Sequence, residues 1–111
     1  MKRIEAIIRP EKVPDVCAAL EGIGQQGVTI SSVQGRDAGQ GWTHHVRGTT
    51  YRDSVRTRSR VEVAAKDEDA GRVVRAILTA AATGGEADGE IFVHDLAEAI
   101  VIRTSERVSA V

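Results

Sequence analysis

The sequence predicts an α+β domain, and three observations support this class. Its 111 residues are the length of a single domain. Residues 2–9 and 57–65 alternate apolar and polar side chains with a period of two, as half-buried strands do. Residues 13–23 and 67–81 repeat apolar side chains at helical spacing. Strand and helix signals therefore alternate along one chain, and with only three aromatic residues the core must be mostly aliphatic.

The first half of the chain is predicted to form a strand, a helix and a strand. Pro10 ends the strand at residues 2–9 because proline lacks the backbone N–H that a sheet needs. Pro14 suits the first turn of the following helix, and Gly24 lies where a C-terminal cap is wanted. The β-branched stretch Val28–Val33 then predicts a second strand.

The second half repeats this order after a long loop. Residues 36–56 have no periodicity and contain several glycines, so they predict a long flexible loop, and the strand at 57–65 follows. Asp67 is expected to cap the second helix, which Thr83-Gly84-Gly85 ends. The remaining expectations are strands at Glu90–His94 and Ala99–Arg103 and a frayed tail at 105–111.

This element order is the split βαβ, or ferredoxin-like, plan with one extra C-terminal strand. It places both helices on one face of an antiparallel sheet, and residues 1–111 form a single domain. The other face also contains apolar residues, among them Ile7, Val33, Ile100 and Ile102. An open apolar sheet face in so small a chain predicts oligomerisation through the sheet.

Charge and composition exclude several classes of function. The net charge of −1 argues against nucleic acid as a partner, and the absence of an 18-residue apolar run excludes a spanning helix. The charged start and the single Cys17 predict a cytoplasmic protein without a disulfide, in which Cys17 packs in the core. Residues 36–60 carry +4 and the rest of the chain −5, so this segment is either a solvated loop or a basic arm for an anionic ligand or acidic partner.

Residues that could carry chemistry are few. His44-His45 has no carboxylate or cysteine at metal-ligating spacing, so no metal site is predicted, and His94 is expected to be packed or interfacial. No serine or threonine accompanies a recognisable base, so no catalytic residue is predicted. The segment 83–90 is either an ordinary turn between helix and strand or a glycine-rich turn whose backbone N–H groups face an anion.

Several motifs, in order along essentially the whole chain, resemble those of P-II nitrogen regulatory proteins. The opening, residues 1–10, is similar to the opening of that family. The other matching motifs are Gly24 with Gly27-Val28-Thr29, Val33 and Gly35; the loop tip Arg47-Gly48-Thr49-Thr50-Tyr51; and the C-terminal Thr83-Gly84, Asp88-Gly89, Ile91-Phe92-Val93 and Ile102-Arg103-Thr104.

The resemblance implies a homotrimer of ferredoxin-like subunits that binds an adenine nucleotide in the clefts between neighbours. Carried over position by position, one wall of the cleft would contain Val28, Thr29, Gly35, Arg36, Asp37, Ala38, Glu62 and Ala64. Main-chain groups near Val28 and Ala64 would read adenine, and Glu62 would accept a hydrogen bond from a ribose hydroxyl. The phosphate-side turn would contain Ala87, Asp88, Gly89 and Glu90, with Arg103 reaching in from a neighbour. The loop, with Trp42, Arg47, Tyr51 and Arg52, would bind a protein partner.

This chain departs from the family pattern where the phosphates would lie. Glu90 stands in place of the usual lysine, Val101 in place of an arginine, and Ala87 in place of a glycine. In the loop, Gly39 replaces the glutamine that helps to bind magnesium and 2-oxoglutarate, and Arg58 replaces a lysine. Fewer cations favour a less charged ligand, so ADP or AMP is expected rather than ATP.

Three functions remain open from the sequence. The leading hypothesis is a non-enzymatic, nucleotide-binding signal-transduction regulator in nitrogen or carbon assimilation, which controls a transporter or metabolic enzyme through residues 36–56. The alternative is a loop-docking module that regulates a membrane transporter without binding nucleotide and without inserting into the membrane. A small enzyme that hydrolyses nucleotide is the third hypothesis, against which the lack of a base and of phosphate-clamping cations argues.

Overall fold

A computed structural model describes residues 1–25, 27–36, 42–46, 49–53 and 55–109, with the backbone alone at 42–46, 49–53 and 108–109. The helices are α1 (Val13–Gly22) and α2 (Asp67–Ala81), and a 3-10 turn, Pro10–Lys12, precedes α1. The strands, in chain order, are β1 (Lys2–Ile8), β2 (Thr29–Arg36), β3 (Trp42–Val46), β4 (Thr49–Asp53), β5 (Val55–Ala65), β6 (Gly89–Asp95), β7 (Glu98–Val101) and β8 (Glu106–Ser109).

Four of these strands form the central sheet, in the order β2-β5-β1-β6. Every neighbouring pair in it is antiparallel. The sheet and its two helices confirm the predicted α+β, ferredoxin-like class. The edge strands, β2 and β6, are separated by β5 and β1, which puts them about 14 Å apart at the usual strand spacing.

One face of the sheet packs against the helices and forms the core. Ile4, Ala6 and Ile8 of β1 point to this face, as the alternation in the sequence predicts, and all three are buried. The other buried aliphatic residues of this cluster are Val16, Leu20, Val61, Val63, Ala65, Val73, Ile77 and Ala81. Leu20 and Ile77 are completely inaccessible to solvent, so the two helices contribute directly to the core.

The opposite face of the sheet is more ionic than the sequence analysis expected. Ile7 and Val33 point to it, but so do Glu5 and Arg60. Ile100 and Ile102 do not lie on the sheet: Ile100 is part of the separate β7–β8 hairpin, and Ile102 lies in its turn. The expected apolar face is therefore only partly present, since Ile7 and Val33 lie on it and Ile100 and Ile102 do not.

Two hairpins contain three strands that were not predicted, namely β3, β4 and β8. Inside the predicted loop 36–56, β3 pairs with β4, and β2 extends to Arg36. The predicted strand Ala99–Arg103 ends at Val101, and the predicted frayed tail contains β8, which pairs with β7. The reversal occurs at Ser105, whose φ is +56° and whose N–H donates to Val101 O at 2.7 Å.

The helix ends agree closely with the sequence. Gly24 follows α1 with φ of +84°, a left-handed conformation that glycine adopts without strain. Asp67 is the first residue of α2 rather than its cap; Lys66 holds the cap position. The acidic first turn of α2, Asp67 to Asp69, is still favourable at the positive end of the helix dipole.

Candidate functional site

The turn from α2 to β6 is organised around the carboxylate of Asp88. Thr83 N donates to Asp88 Oδ2 at 2.7 Å and Gly84 N to the same oxygen at 3.0 Å. Asp88 Oδ1 accepts from the Thr83 hydroxyl and from Arg9 Nε, the latter at 3.1 Å. The predicted glycine-rich turn thus exists, but two of its backbone N–H groups already face an internal anion.

These contacts stabilise the ionised form of Asp88. The hydrogen bonds from the side chain and backbone of Thr83 hold the pKa of the carboxyl far below its usual value, and Arg9 and Gly84 act in the same direction. The carboxylate is therefore fully charged at neutral pH and is engaged within its own turn.

Gly89 brings this turn into close contact with the centre of the sheet. Its φ is +109°, and an added Cβ would lie 1.8 Å from Ile7 O. Gly89 pairs with Ile8, so the backbone enters β6 directly against β1. Ala87, which the sequence analysis places in the phosphate-side wall, is only 8% exposed.

A small, largely apolar cavity of about 220 Å³ adjoins the turn on the helix side. Its lining residues are Ile8, Ile77, Leu78, Ala81, Ala82, Asp88, Gly89, Glu90 and Ile91. Glu90, which follows Gly89 in β6, is exposed and lies opposite Ile7. The turn therefore has an apolar cavity beside it, and the Glu90 carboxylate adds a negative charge next to Asp88.

The other predicted wall lies along β2 and β5. Thr29 is directly opposite Glu62 in the β2–β5 ladder. Ala64 O, one of the main-chain groups expected to read adenine, accepts a hydrogen bond from Gln25 Nε2 at 3.3 Å. Gln25, which precedes the strand that contains Thr29, is thus a polar neighbour of this wall that the sequence analysis missed.

Glu62 is held by arginines on the open sheet face. Arg60 Nε lies 3.3 Å from Glu62 Oε1, and Arg3 Nη1 lies 3.9 Å from the same oxygen. Arg60 also approaches Glu5 at 3.9 Å and donates to Ser31 Oγ at 3.2 Å. The Glu62 carboxylate predicted to accept from a ribose hydroxyl is thus oriented by two cations.

Gly35 and Arg36 lie at the far end of β2 from Thr29. They pair with Arg56 and Val55, and at the usual rise per residue the length of β2 separates Thr29 from Arg36 by about 23 Å. Val28 immediately precedes β2 and packs against the core. Asp37 and Ala38 lie outside the described residues.

The two predicted walls do not meet within one chain. Thr29, Gly35 and Arg36 are on β2, whereas Gly89 and Glu90 are on β6, at the opposite edge of the sheet. Arg103, predicted to reach in from a neighbour, lies exposed in the turn between β7 and β8. Val101 pairs with Glu106 in the same hairpin and is 44% exposed.

The predicted partner-binding residues are described only in part. Trp42 is on β3 and pairs with Asp53, while Tyr51 and Arg52 of β4 pair with His44 and Thr43. Arg47 lies outside the described residues. The two strands are thus antiparallel and bring residues 42 and 52 to neighbouring register positions.

Histidine, cysteine and carboxylate side chains are dispersed over the part of the chain that the structure describes. Within that part of the chain, no three His, Cys, Asp or Glu side chains lie close enough together to hold a metal ion. Cys17 is a half-buried free thiol on α1. His94 is half-buried on β6, and its Nε2 has no hydrogen-bond partner among the residues described. Within the same ranges, no helix is long and apolar enough to cross a membrane.

The four-stranded antiparallel sheet and its two helices define a small ferredoxin-like domain. Comparison with known proteins gives the family. The family model described as nitrogen regulatory protein P-II matches residues 1–106. The chain is 42% identical over 106 residues to nitrogen regulatory protein P-II 2 of Methanothermobacter thermautotrophicus, covering 96% of this chain and 92% of that protein. It is 43% identical over 106 residues to nitrogen regulatory protein P-II of Rhizobium meliloti, covering 96% and 95% of the two chains. The chain belongs to the P-II family of signal-transduction regulators.

Proposed function

We propose that this protein is a homotrimeric regulator that binds an adenine nucleotide between subunits and thereby controls a protein partner through residues 36–56. The observation that carries the proposal is the position of the two walls at opposite edges of the sheet. A site built from both walls needs the β2 edge of one subunit beside the β6 edge of another. Membership of the P-II family supports the same arrangement.

The charge near the phosphate-side turn favours ADP or AMP over ATP. Glu90 and Glu86 are exposed there, and Asp88 is ionised and paired with Arg9. Each further phosphate would add negative charge to a wall that is already acidic. At surface dielectric, two like charges about 4 Å apart repel by about 4 kcal/mol before solvation offsets most of it, so each added phosphate is expected to gain less than it would beside cations.

In this proposal, ligand binding changes the relative populations of the conformations that residues 36–56 adopt. Gly35 and Arg36 end β2 where that segment begins, so a nucleotide held by β2 would act at the start of the segment. The partner is a transporter or metabolic enzyme in nitrogen or carbon assimilation, and the protein acts in the cytoplasm without catalysing a reaction. The relatives, which are named nitrogen regulatory proteins, support the nitrogen-regulatory part.

A second function, partner docking without nucleotide, is favoured by two contacts. The Thr83 and Gly84 N–H groups are bonded to Asp88, and Ala64 O is bonded to Gln25. Part of the predicted glycine-rich turn, and one main-chain oxygen of the wall predicted to contact adenine, therefore already have an internal hydrogen-bond partner.

Two measurements separate these functions. Light scattering is expected to give three times the subunit mass of 11.9 kDa, and a monomer would overturn the proposed assembly. Calorimetry with ATP, ADP, AMP and a cyclic adenine nucleotide is expected to show binding that is tightest for ADP or AMP. If none of the four binds to the trimer, the docking function replaces the proposal. Multiple-turnover release of inorganic phosphate would show that the protein is an enzyme.

A further inference from the structure

The turn between α2 and β6 has little intrinsic rigidity. Gly84, Gly85 and Gly89 lie within it, and glycine has more backbone freedom than any other residue. The turn must nevertheless deliver Gly89 into register with Ile8. Side-chain contacts, rather than backbone preference, must therefore select its conformation.

Asp88 supplies those contacts through partners from two different elements. Thr83, at the end of α2, donates from both its hydroxyl and its backbone N–H. Arg9 follows β1 and is 79 positions away in sequence, and its Nε donates to Asp88 Oδ1 at 3.1 Å. Through Asp88, the turn is thus joined both to the helix it leaves and to the strand it approaches.

The position of Gly85 is fitted to this cluster. An added Cβ at Gly85 would lie 3.0 Å from Arg9 Nη2 and 3.3 Å from Thr83 Oγ1. Gly85 N also donates to Thr83 Oγ1 at 3.2 Å. The Arg9 guanidinium therefore lies directly against the turn, and the glycine leaves space for it.

We propose that Arg9 and Thr83 are positioning residues, which act through Asp88 to hold residues 84–90 in the one conformation that receives the ligand. This inference rests on the proposed nucleotide-binding function and adds two residues to it that need not contact the nucleotide. Asp88 likewise acts by orienting the turn rather than by binding phosphate with its side chain.

Thr83→Val and Thr83→Ser form the central comparison. Valine preserves the shape of the side chain but removes the hydroxyl, whereas serine keeps it. We expect Thr83→Val to weaken ADP binding about tenfold and Thr83→Ser to change it less than about threefold, since a hydrogen bond to a charged group contributes on this scale. Calorimetry on the intact oligomer measures both.

The backbone amide resonances of the same two variants are also compared by NMR in the absence of ligand. In Thr83→Val, the amide resonances of Gly84, which donates to Asp88, and of Gly89, at the far end of the turn, are expected to move, and the Gly84 amide is expected to exchange faster with solvent. Thr83→Ser should preserve both resonances. A purely stabilising role would lower the melting temperature without this local change. Unchanged amides in Thr83→Val, or ADP affinity equal to wild type despite changed amides, would overturn the proposal.

Arg9→Gln tests the second positioning residue, with Lys12→Gln as its matched control. Lys12 pairs with Asp15 at 3.6 Å, so its replacement removes a nearby ion pair that does not involve the turn. Arg9→Gln should reproduce the amide changes and the loss of ADP affinity, and Lys12→Gln should show neither. If wild-type protein binds no adenine nucleotide, the proposed function fails; the amide comparison then decides alone whether Arg9 and Thr83 fix the turn.

Discussion

Replacing Gly89 by alanine is expected to be among the most damaging single-methyl additions in this chain. The added Cβ would lie 1.8 Å from Ile7 O and 2.9 Å from Ile7 C. Both atoms are backbone atoms of β1, which is paired on both sides, so neither can rotate away. The turn must move off the sheet instead.

The size of the effect follows from two contributions. Alanine at φ of +109° is strained by about 1–3 kcal/mol, and losing one ladder hydrogen bond costs about 1 kcal/mol. We therefore expect the free energy of unfolding to fall by about 2–4 kcal/mol. Domains are typically stable by only about 5–15 kcal/mol, so this is a large fraction.

Two other glycines provide matched controls, measured by urea unfolding at one fixed protein concentration. Gly84 has φ of +86° but an added Cβ would have nothing within 4 Å, so Gly84→Ala should cost only the strain, about 1–2 kcal/mol. Gly71 lies in α2 with free space around it, so Gly71→Ala should stabilise by about 0.5–1 kcal/mol. If Gly89→Ala costs no more than Gly84→Ala, the close contact with β1 is not what makes glycine necessary.

Three further predictions concern ligand charge, the core and pH. Glu90→Lys should strengthen ATP binding about tenfold to a hundredfold more than AMP binding, with Glu21→Lys on α1 as control; equal gains in calorimetry would mean that residue 90 does not face the terminal phosphates. Leu20→Ala, at a fully buried position, should lower the unfolding free energy by about 2–5 kcal/mol. Leu78→Ala, 54% exposed, should cost less than about 1 kcal/mol in the same urea titration, and similar losses would contradict the assigned core. Because the folded-state pKa of Asp88 is lowered, its contribution to stability is complete above the unfolded pKa of about 4 and is lost only as pH falls below that value. The Gly84 amide resonance should therefore stay unshifted from pH 7 to 4, and a transition near pH 5 would refute the assignment.

The fold could be predicted from the sequence because its signals are local. The alternation around Ile4 and Ile8 defines the buried face of β1, and Gly24 marks the end of α1. The strands β3, β4 and β8 were missed for a physical reason. Each belongs to a two-stranded sheet separate from the central one, and strands this short offer too few residues for a clear apolar period.

The site was only partly predictable. The family motifs identify Thr29, Glu62 and Gly89 as candidates, but they do not say what holds them. The contact between Arg9 and Asp88 joins residues 79 positions apart, and no local pattern indicates it. In the same way, the pairing of Arg60 with Glu62 depends on the strand register rather than on composition.

The opposite-edge placement of β2 and β6 has a consequence for how such a protein would respond in solution. A cleft completed by a neighbour exists only in the assembled oligomer. Ligand binding and subunit association would therefore be thermodynamically coupled. Nucleotide would then protect the oligomer against dilution, and dilution would weaken apparent nucleotide affinity to the same extent. In a closed ring the number of clefts equals the number of subunits, so under the proposed function the protein's own concentration would also change the nucleotide response.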